Sequence, residues 1–161
     1  MLSTQVLSPE STELETWVQW LRAHAAVTRE LNADLVTEHG LTINDYEVLL
    51  HLARAPKETL KPVELAARVL LTPSGITRLL AGLERSGYVC RVDCAADKRV
   101  SYAQLTPEGR NKLREASDTH LAGIASQFTG RFTRKELATL SELIARLPGG
   151  ERADAPDCTI D

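Results

Sequence analysis

Thr72-Pro73-Ser74-Gly75-Ile76-Thr77-Arg78-Leu79-Leu80-Ala81-Gly82-Leu83-Glu84-Arg85 is the stretch whose reading decides the fold. Wound as a helix, it places Ile76, Leu79, Leu80 and Leu83 on one side, at the i, i+3, i+4, i+7 spacing of a buried stripe. Ser74, Thr77, Arg78, Ala81 and Arg85 fall on the other side, which is small, hydroxylated and basic. Short side chains let a helix approach a major groove closely, where hydroxyl and guanidinium groups meet base edges and phosphates. Thr72 and Pro73 supply a cap and a first-turn proline, and Ser86-Gly87 supply the stop.

The flanking sequence turns this helix into part of a larger unit. A short helix from about Pro62 to Val69 packs Leu65, Ala66 and Val69, and Leu70-Leu71 make the turn into the helix above. Beyond Gly87, Tyr88 to Val92 and Val100 to Leu105 are strand candidates joined by the polar run Asp93 to Arg99, a two-stranded hairpin. Thr106-Pro107-Glu108-Gly109 caps a long helix bearing Leu113, Ala116, His120, Leu121, Ile124 and Phe128. Thr133 to Glu136 forms a capping box ahead of Leu137, Leu140, Leu143, Ile144 and Leu147.

Upstream, Ser8-Pro9-Glu10 opens a helix with Trp17, Trp20, Leu21, His24, Val27, Thr28, Leu31 and Leu35 on one side, ending near His39-Gly40. Thr42 to Asp45 resembles another capping box, with Tyr46, Leu49, Leu50 and Ala53 turned inward, and Ala55 to Thr59 is a connecting loop. The predicted fold is mainly α with a small β-hairpin wing: a winged helix-turn-helix lobe over 42–106, dimerisation helices over 8–40 and 107–147, and a loose tail over 148–161. The terminal helices carry more apolar surface than a central lobe of about 50 residues covers, which points to a second copy of the chain; the alternative is a monomer whose terminal helices pack on each other.

Bulk properties fit that picture. At 161 residues the chain is one domain, and with 4% aromatic residues its core is built from aliphatic side chains. No apolar run approaches the roughly 20 residues of a membrane span, and the first fifteen residues lack a signal-peptide pattern. An odd cysteine count, 3, argues for a reducing cytoplasm rather than a disulfide scaffold. The net charge of −3 hides an uneven distribution: residues 61–110 hold eight basic side chains against five acidic, between acidic flanks. Affinity for phosphate follows the local field, so this balance is compatible with DNA. There is no nucleophile motif, no phosphate-binding glycine loop and no metal-ligand spacing, so neither an enzyme, a cofactor nor a metal site is expected.

The chain resembles the MarR family of winged helix-turn-helix transcriptional regulators over about residues 12–147. The match rests on Glu64-Leu65-Ala66, Thr77-Arg78-Leu79, Leu83 to Val89, Arg91, Asp97-Lys98-Arg99 and Leu105-Thr106-Pro107-Glu108-Gly109, all in order. The resemblance implies a homodimer on a pseudo-palindromic double-stranded DNA operator, with Pro73 to Arg85 as the recognition helix. It assigns DNA contact to Lys61, Thr72, Ser74, Gly75, Thr77, Arg78, Arg85, Asp97, Lys98 and Arg99, with Arg99 entering a minor groove and Asp97 holding its guanidinium. A narrow A·T-rich minor groove has enhanced negative potential and attracts such a planar cation.

The resemblance further implies a repressor released by a small, commonly phenolic or aromatic, effector. Candidates for its cleft are Trp17, Trp20, His24, Tyr46 and His51, each of which has a competing reading as an ordinary core or surface residue. Cys90 and Cys94 offer an alternative, a thiol switch that distorts the wing. A second alternative is a winged-helix module for protein contacts; Arg78 and Arg99 favour DNA over it. Replacing Arg99 tests the wing: Arg99→Ala is expected to weaken binding to every operator variant and flatten its salt dependence, measured by gel shift across salt concentrations. Undiminished affinity would remove the wing from the interface.

Overall fold

The computed structural model describes residues 12–93 and 101–150. The expected start at Ser8-Pro9-Glu10, the hairpin tip with Cys94, Asp97, Lys98 and Arg99, and the tail beyond Gly150 lie outside the described residues. The elements in order are α1 (Thr12–His39), α2 (Ile43–Ala53), a 3-10 turn (Pro56–Glu58), β1 (Thr59–Leu60), α3 (Pro62–Arg68), α4 (Pro73–Arg85), β2 (Val89–Asp93), β3 (Ser101–Leu105), α5 (Pro107–Gln127), a second 3-10 turn (Thr129–Arg131) and α6 (Arg134–Ile144). This is the mainly helical, winged helix-turn-helix architecture that the sequence predicts.

Local sequence dictates where the helices begin and end. Thr42, Thr72, Thr106 and Thr133 lie in extended backbone, and each side chain accepts from the amide three residues on. At Thr42 and Thr133 the following Asp45 and Glu136 carboxylates accept from the threonine amide, at 2.9 and 2.8 Å, completing capping boxes. α4 stops at Gly87, whose φ of +77° lies in the left-handed region that favours glycine. There the Gly87 amide donates to Glu84 and the Tyr88 amide to Leu83, both at 3.0 Å, closing the last turn. The turn between α3 and α4 uses Leu70 at φ +54°, with Leu71 reaching back to the Ala66 carbonyl at 2.9 Å.

The stripe on α4 is buried as expected at Ile76, Leu80 and Leu83, while Leu79 is partly buried against the same core. It joins Leu49 and Leu52 of α2, Leu65 of α3, and Val89, Ala103 and Leu105 of the wing. The wing is a three-stranded antiparallel sheet in the order β1-β3-β2, with Thr59 opposite Gln104 and Val89 opposite Leu105. Thr59, expected in a loop, is therefore a strand residue. Its strand is two residues long and its partner lies far along the chain, so local pattern carries no sign of it. The β2 strand is shifted by one residue from the expected Tyr88–Val92, because Tyr88 completes the stop of α4.

Burial corrects several expected faces. On α2, Val48 and Leu52 are wholly buried, whereas Leu50 and Ala53 are only partly so, because α1, α3, α5 and the sheet all pack on this helix. On α1, Leu31 and Leu35 reach the core, but Trp17, Trp20 and Leu21 are exposed. Leu121 of α5 is exposed, and no residue of α6 is buried. α1 and α5 approach closely at Gly123, where an added Cβ would stand 2.7 Å from the Leu31 side chain.

A cluster of contacts ties the end of α4 to the wing and to α5. The Thr106 amide donates to Tyr88 O at 3.1 Å, the Thr106 hydroxyl donates to Gly87 O at 2.7 Å, and the same hydroxyl accepts from Gly109 N at 3.0 Å. Gly109 lies so close that a Cβ there would fall on the Tyr88 carbonyl oxygen. Two glycine substitutions are expected to have opposite effects. Gly109→Ala lowers the unfolding free energy by about 1–3 kcal/mol through overpacking against backbone. Gly82→Ala, where nothing lies nearer than Arg85 Nη2 at 3.9 Å, raises it by about 0.5–1 kcal/mol through helix propensity. Urea denaturation of the two variants checks both signs.

Candidate nucleic-acid interface

α4 carries its apolar and polar chemistry on opposite sides, and the core fixes which side faces out. With Ile76, Leu80 and Leu83 buried, Thr72, Ser74, Thr77, Arg78 and Arg85 are exposed. Thr72 caps the helix by accepting from Gly75 N at 3.1 Å, and its hydroxyl lies 3.2 Å from that of Ser74. Gly75 sits tight against the cap: a Cβ there would stand 3.2 Å from Thr72 Oγ1. Thr77 donates its hydroxyl proton back to Pro73 O at 2.8 Å. Pro73 has no amide proton and the Gly75 and Ile76 amides are bound to Thr72, so at this end the Ser74 amide and the helix dipole are what favour an anion.

The arginines divide by their partners. Arg91 on β2 pairs with Glu84 at 3.5 Å, and Arg110 on α5 pairs with Glu58. Arg78 and Arg85 have no acidic partner among the described residues, so their guanidinium groups remain open to an external anion. Arg85 also borders a surface cleft with Gly40, Leu41, Asp45 and Tyr88. Lys61 caps α3 with its backbone, donating its amide to Glu64 at 2.8 Å, and its ammonium lies 5.9 Å from the Tyr102 ring centre on β3. Lys61 thus bridges the helical part of the lobe and the wing.

The aromatic and titratable candidates do not form one site. Trp17 and Trp20 are 54% and 44% exposed, and Trp20 stacks on His24 at 5.9 Å between ring centres. Tyr46 is buried: its hydroxyl lies 3.2 Å from Ser117 Oγ and its ring 4.4 Å from that of His120. His51 lies between them in exposure and is held below its ordinary pKa by burial and by the charges of Arg68 and Arg54. A second surface cleft runs along α6, lined by Phe132, Leu140 and Leu143; neither cleft is lined by Trp17, Trp20, His24, Tyr46 or His51. Cys90 is exposed on β2, with its thiol 3.9 Å from Gln104 Oε1. No cluster of three metal-ligating side chains occurs among the described residues.

Sequence reasoning missed the polar seam between α5 and the first two helices. Besides the Tyr46–Ser117–His120 group, His39 Nε2 lies 2.8 Å from Thr119 Oγ1, and Thr119 donates to Glu38 at 2.7 Å. Asn32 accepts from Ile43 N at 3.0 Å, pinning α1 to the start of α2. The partners stand 71 to 81 residues apart along the α5 contacts, so no local pattern announces them.

A helix-turn-helix whose second helix turns a basic, hydroxylated face outward, flanked by a three-stranded wing, defines a winged helix-turn-helix regulator. The sequence model of the MarR family matches residues 39–100. The HTH-type transcriptional regulator YkoM of Bacillus subtilis is 30% identical over 128 residues, spanning 77% of this chain and 81% of that protein. The HTH-type transcriptional repressor YetL of the same organism is 37% identical over 87 residues, a match that spans about half the length of each protein. Among solved structures, the MarR-family regulator Sco3205 of Streptomyces coelicolor, determined in complex with DNA, superposes with a TM-score of 0.81 at 28% identity, covering 89% of this chain and 94% of that one. The chain belongs to the MarR family and is a transcriptional regulator, not an enzyme. No helix among the described residues is long and apolar enough to cross a membrane.

Burial of the seam has a consequence for stability. His120, whose Nδ1 is buried without a hydrogen-bond partner among the described residues, is held below the ordinary histidine value of 6.5 by that burial, as His51 is. Below that value the unfolded chain takes up protons that the folded chain refuses, so stability falls as pH falls. Glu47, raised above 4.5 by burial, tilts the opposite way from that value upward. Unfolding free energy measured by denaturant titration is therefore expected to decline from about pH 7.5 to about pH 5.5, with a shallower decline in His120→Phe. A flat profile in the unsubstituted protein would contradict the lowered values of these two partly buried rings.

Proposed function

We propose that this regulator is a homodimeric repressor that acts in the cytoplasm by binding a pseudo-palindromic double-stranded DNA operator. α4 enters the major groove and the wing, through Arg99 with Asp97 beside it and Lys98, reaches the adjacent minor groove. The observation that carries this reading is the outward face of α4, where Ser74, Thr77 and Arg78, the last without an acidic partner among the described residues, stand together opposite the buried Ile76, Leu80 and Leu83. The DNA complex of Sco3205 and the repressor role of YetL support it. Phosphate contacts by Lys61, Thr72 and Arg85 would set position, and the groove-facing side chains would set preference.

The second copy is supported by where apolar surface remains uncovered. Trp17, Trp20, Leu21 and Val36 of α1, Leu121 of α5, and Phe132, Leu143 and Leu147 around α6 are all exposed large hydrophobics. Monomeric surfaces rarely leave so much apolar area on one set of elements. Two copies joined there would offer two reading helices to half-sites about one DNA turn apart. Effector release belongs to the same proposal: Trp17 is tilted against Trp20, which stacks on His24, and a planar phenolic ring inserted beside them at the edge of that interface would compete with the second copy.

Gel shift on DNA taken from beside the protein's own gene, with sedimentation of the free protein, tests this reading. A retarded complex and a mass twice 17.7 kDa are expected. Arg78→Ala is expected to alter base preference by about 1–3 kcal/mol at particular positions. Salicylate is expected to quench tryptophan fluorescence and dissolve the complex. Absence of any shifted complex would remove the DNA reading, a monomer at micromolar concentration the two-fold one, and an unmoved fluorescence the phenolic effector.

A further inference from the structure

The hydroxyls on the outward face of α4 are not equivalent. Thr77 is exposed, yet its hydroxyl proton is already committed to Pro73 O, one turn back, at 2.8 Å. This is the bond that a helical threonine makes to the carbonyl four residues earlier. A threonine bound in this way has no donor left for guanine O6 or N7, for thymine O4, or for a phosphate oxygen. The oxygen keeps acceptor capacity for adenine N6 or cytosine N4, but toward thymine, which offers only the O4 acceptor and a methyl, the γ-methyl is what the side chain has to present.

Thr72 and Ser74 are arranged differently. Their hydroxyl oxygens lie 3.2 Å apart, and Thr72 Oγ1 already accepts from Gly75 N. The pair owns two hydroxyl protons and needs only one between them, so one remains to be donated outward. The same helix therefore presents a hydrogen-bonding pair at its start and an apolar group one turn later.

We infer that Thr77 is a specificity-determining residue that reads the C5-methyl of a thymine through its own methyl group, while the Thr72–Ser74 pair supplies the donor. Thymine is the only base that shows a methyl in the major groove, and apolar contact is how it is read there. This inference rests on the proposal that α4 enters the major groove. It predicts that the oxygen of Thr77 is dispensable for base choice and the methyl is not.

The test uses the full-length protein and a duplex recovered by repeated selection from a random DNA pool. Each thymine of the recovered sequence is replaced in turn by deoxyuridine, which removes only the C5-methyl, and affinity is measured by fluorescence anisotropy. One thymine per half-site is expected to cost about fourfold when replaced, the effect of one buried methyl group. Thr77→Val, which keeps the methyl and the β-branch, is expected to retain both the preference and that penalty. Thr77→Ser, which keeps only the hydroxyl, is expected to bind with no penalty at the same position. Circular dichroism confirms that both variants are folded.

If no deoxyuridine substitution matters, or if Thr77→Ser preserves the penalty and Thr77→Val loses it, the methyl reading is wrong while DNA binding stands. If the pool yields no enriched sequence, the DNA reading falls and this inference falls with it.

Discussion

The contact of Gly109 with the Tyr88 carbonyl, bound up with Thr106, is the constraint on which the other parts depend. Three elements meet there: the end of α4, the base of the wing and the first turn of α5. Only a residue without a Cβ allows that approach, and only a cap with both a donor and an acceptor makes both hydroxyl bonds. The result is that α4 and the wing are fixed to α5 at its first turn.

Core packing in turn fixes which face of α4 is turned outward. Ile76, Leu80 and Leu83 hold the helix in the core, so its roll about its own axis is set by packing. A helix held this way cannot adjust to its target by turning. Its side chains therefore carry their chemistry in fixed places, as Ser74 and Thr77 do. Arg78 and Arg85, free of acidic partners among the described residues, add reach and charge. Burial along the seam of α2 with α5, through Tyr46, Ser117 and His120, then connects this lobe to the terminal helices.

Much of this was legible in the sequence because it is written locally. Thr-initiated caps, the glycine at 87 and the Leu105-to-Gly109 run each act within a few residues, and each stands where the pattern puts it. What the sequence hid depends on partners far along the chain. The strand at Thr59–Leu60 exists only because Ala103 and Gln104 offer it an edge. The core position of Tyr46 depends on Ser117 and His120. Periodicity also could not say that Trp17 and Trp20 lie exposed rather than in the core, since a face for a second copy and a face for the chain's own core carry the same spacing. In the candidate interface, residue types were visible, but the hydrogen bond that commits Thr77 was not.

Equilibrium anisotropy on two duplexes of equal length and composition, one recovered by selection and one with its bases shuffled, tests the central claim most directly. Measured at physiological salt, the recovered duplex is predicted to bind at least about 1,000-fold more tightly, with affinity for both falling steeply as salt rises. Equal affinity for the two, or no binding to either, would contradict the account of α4 as a reader of sequence.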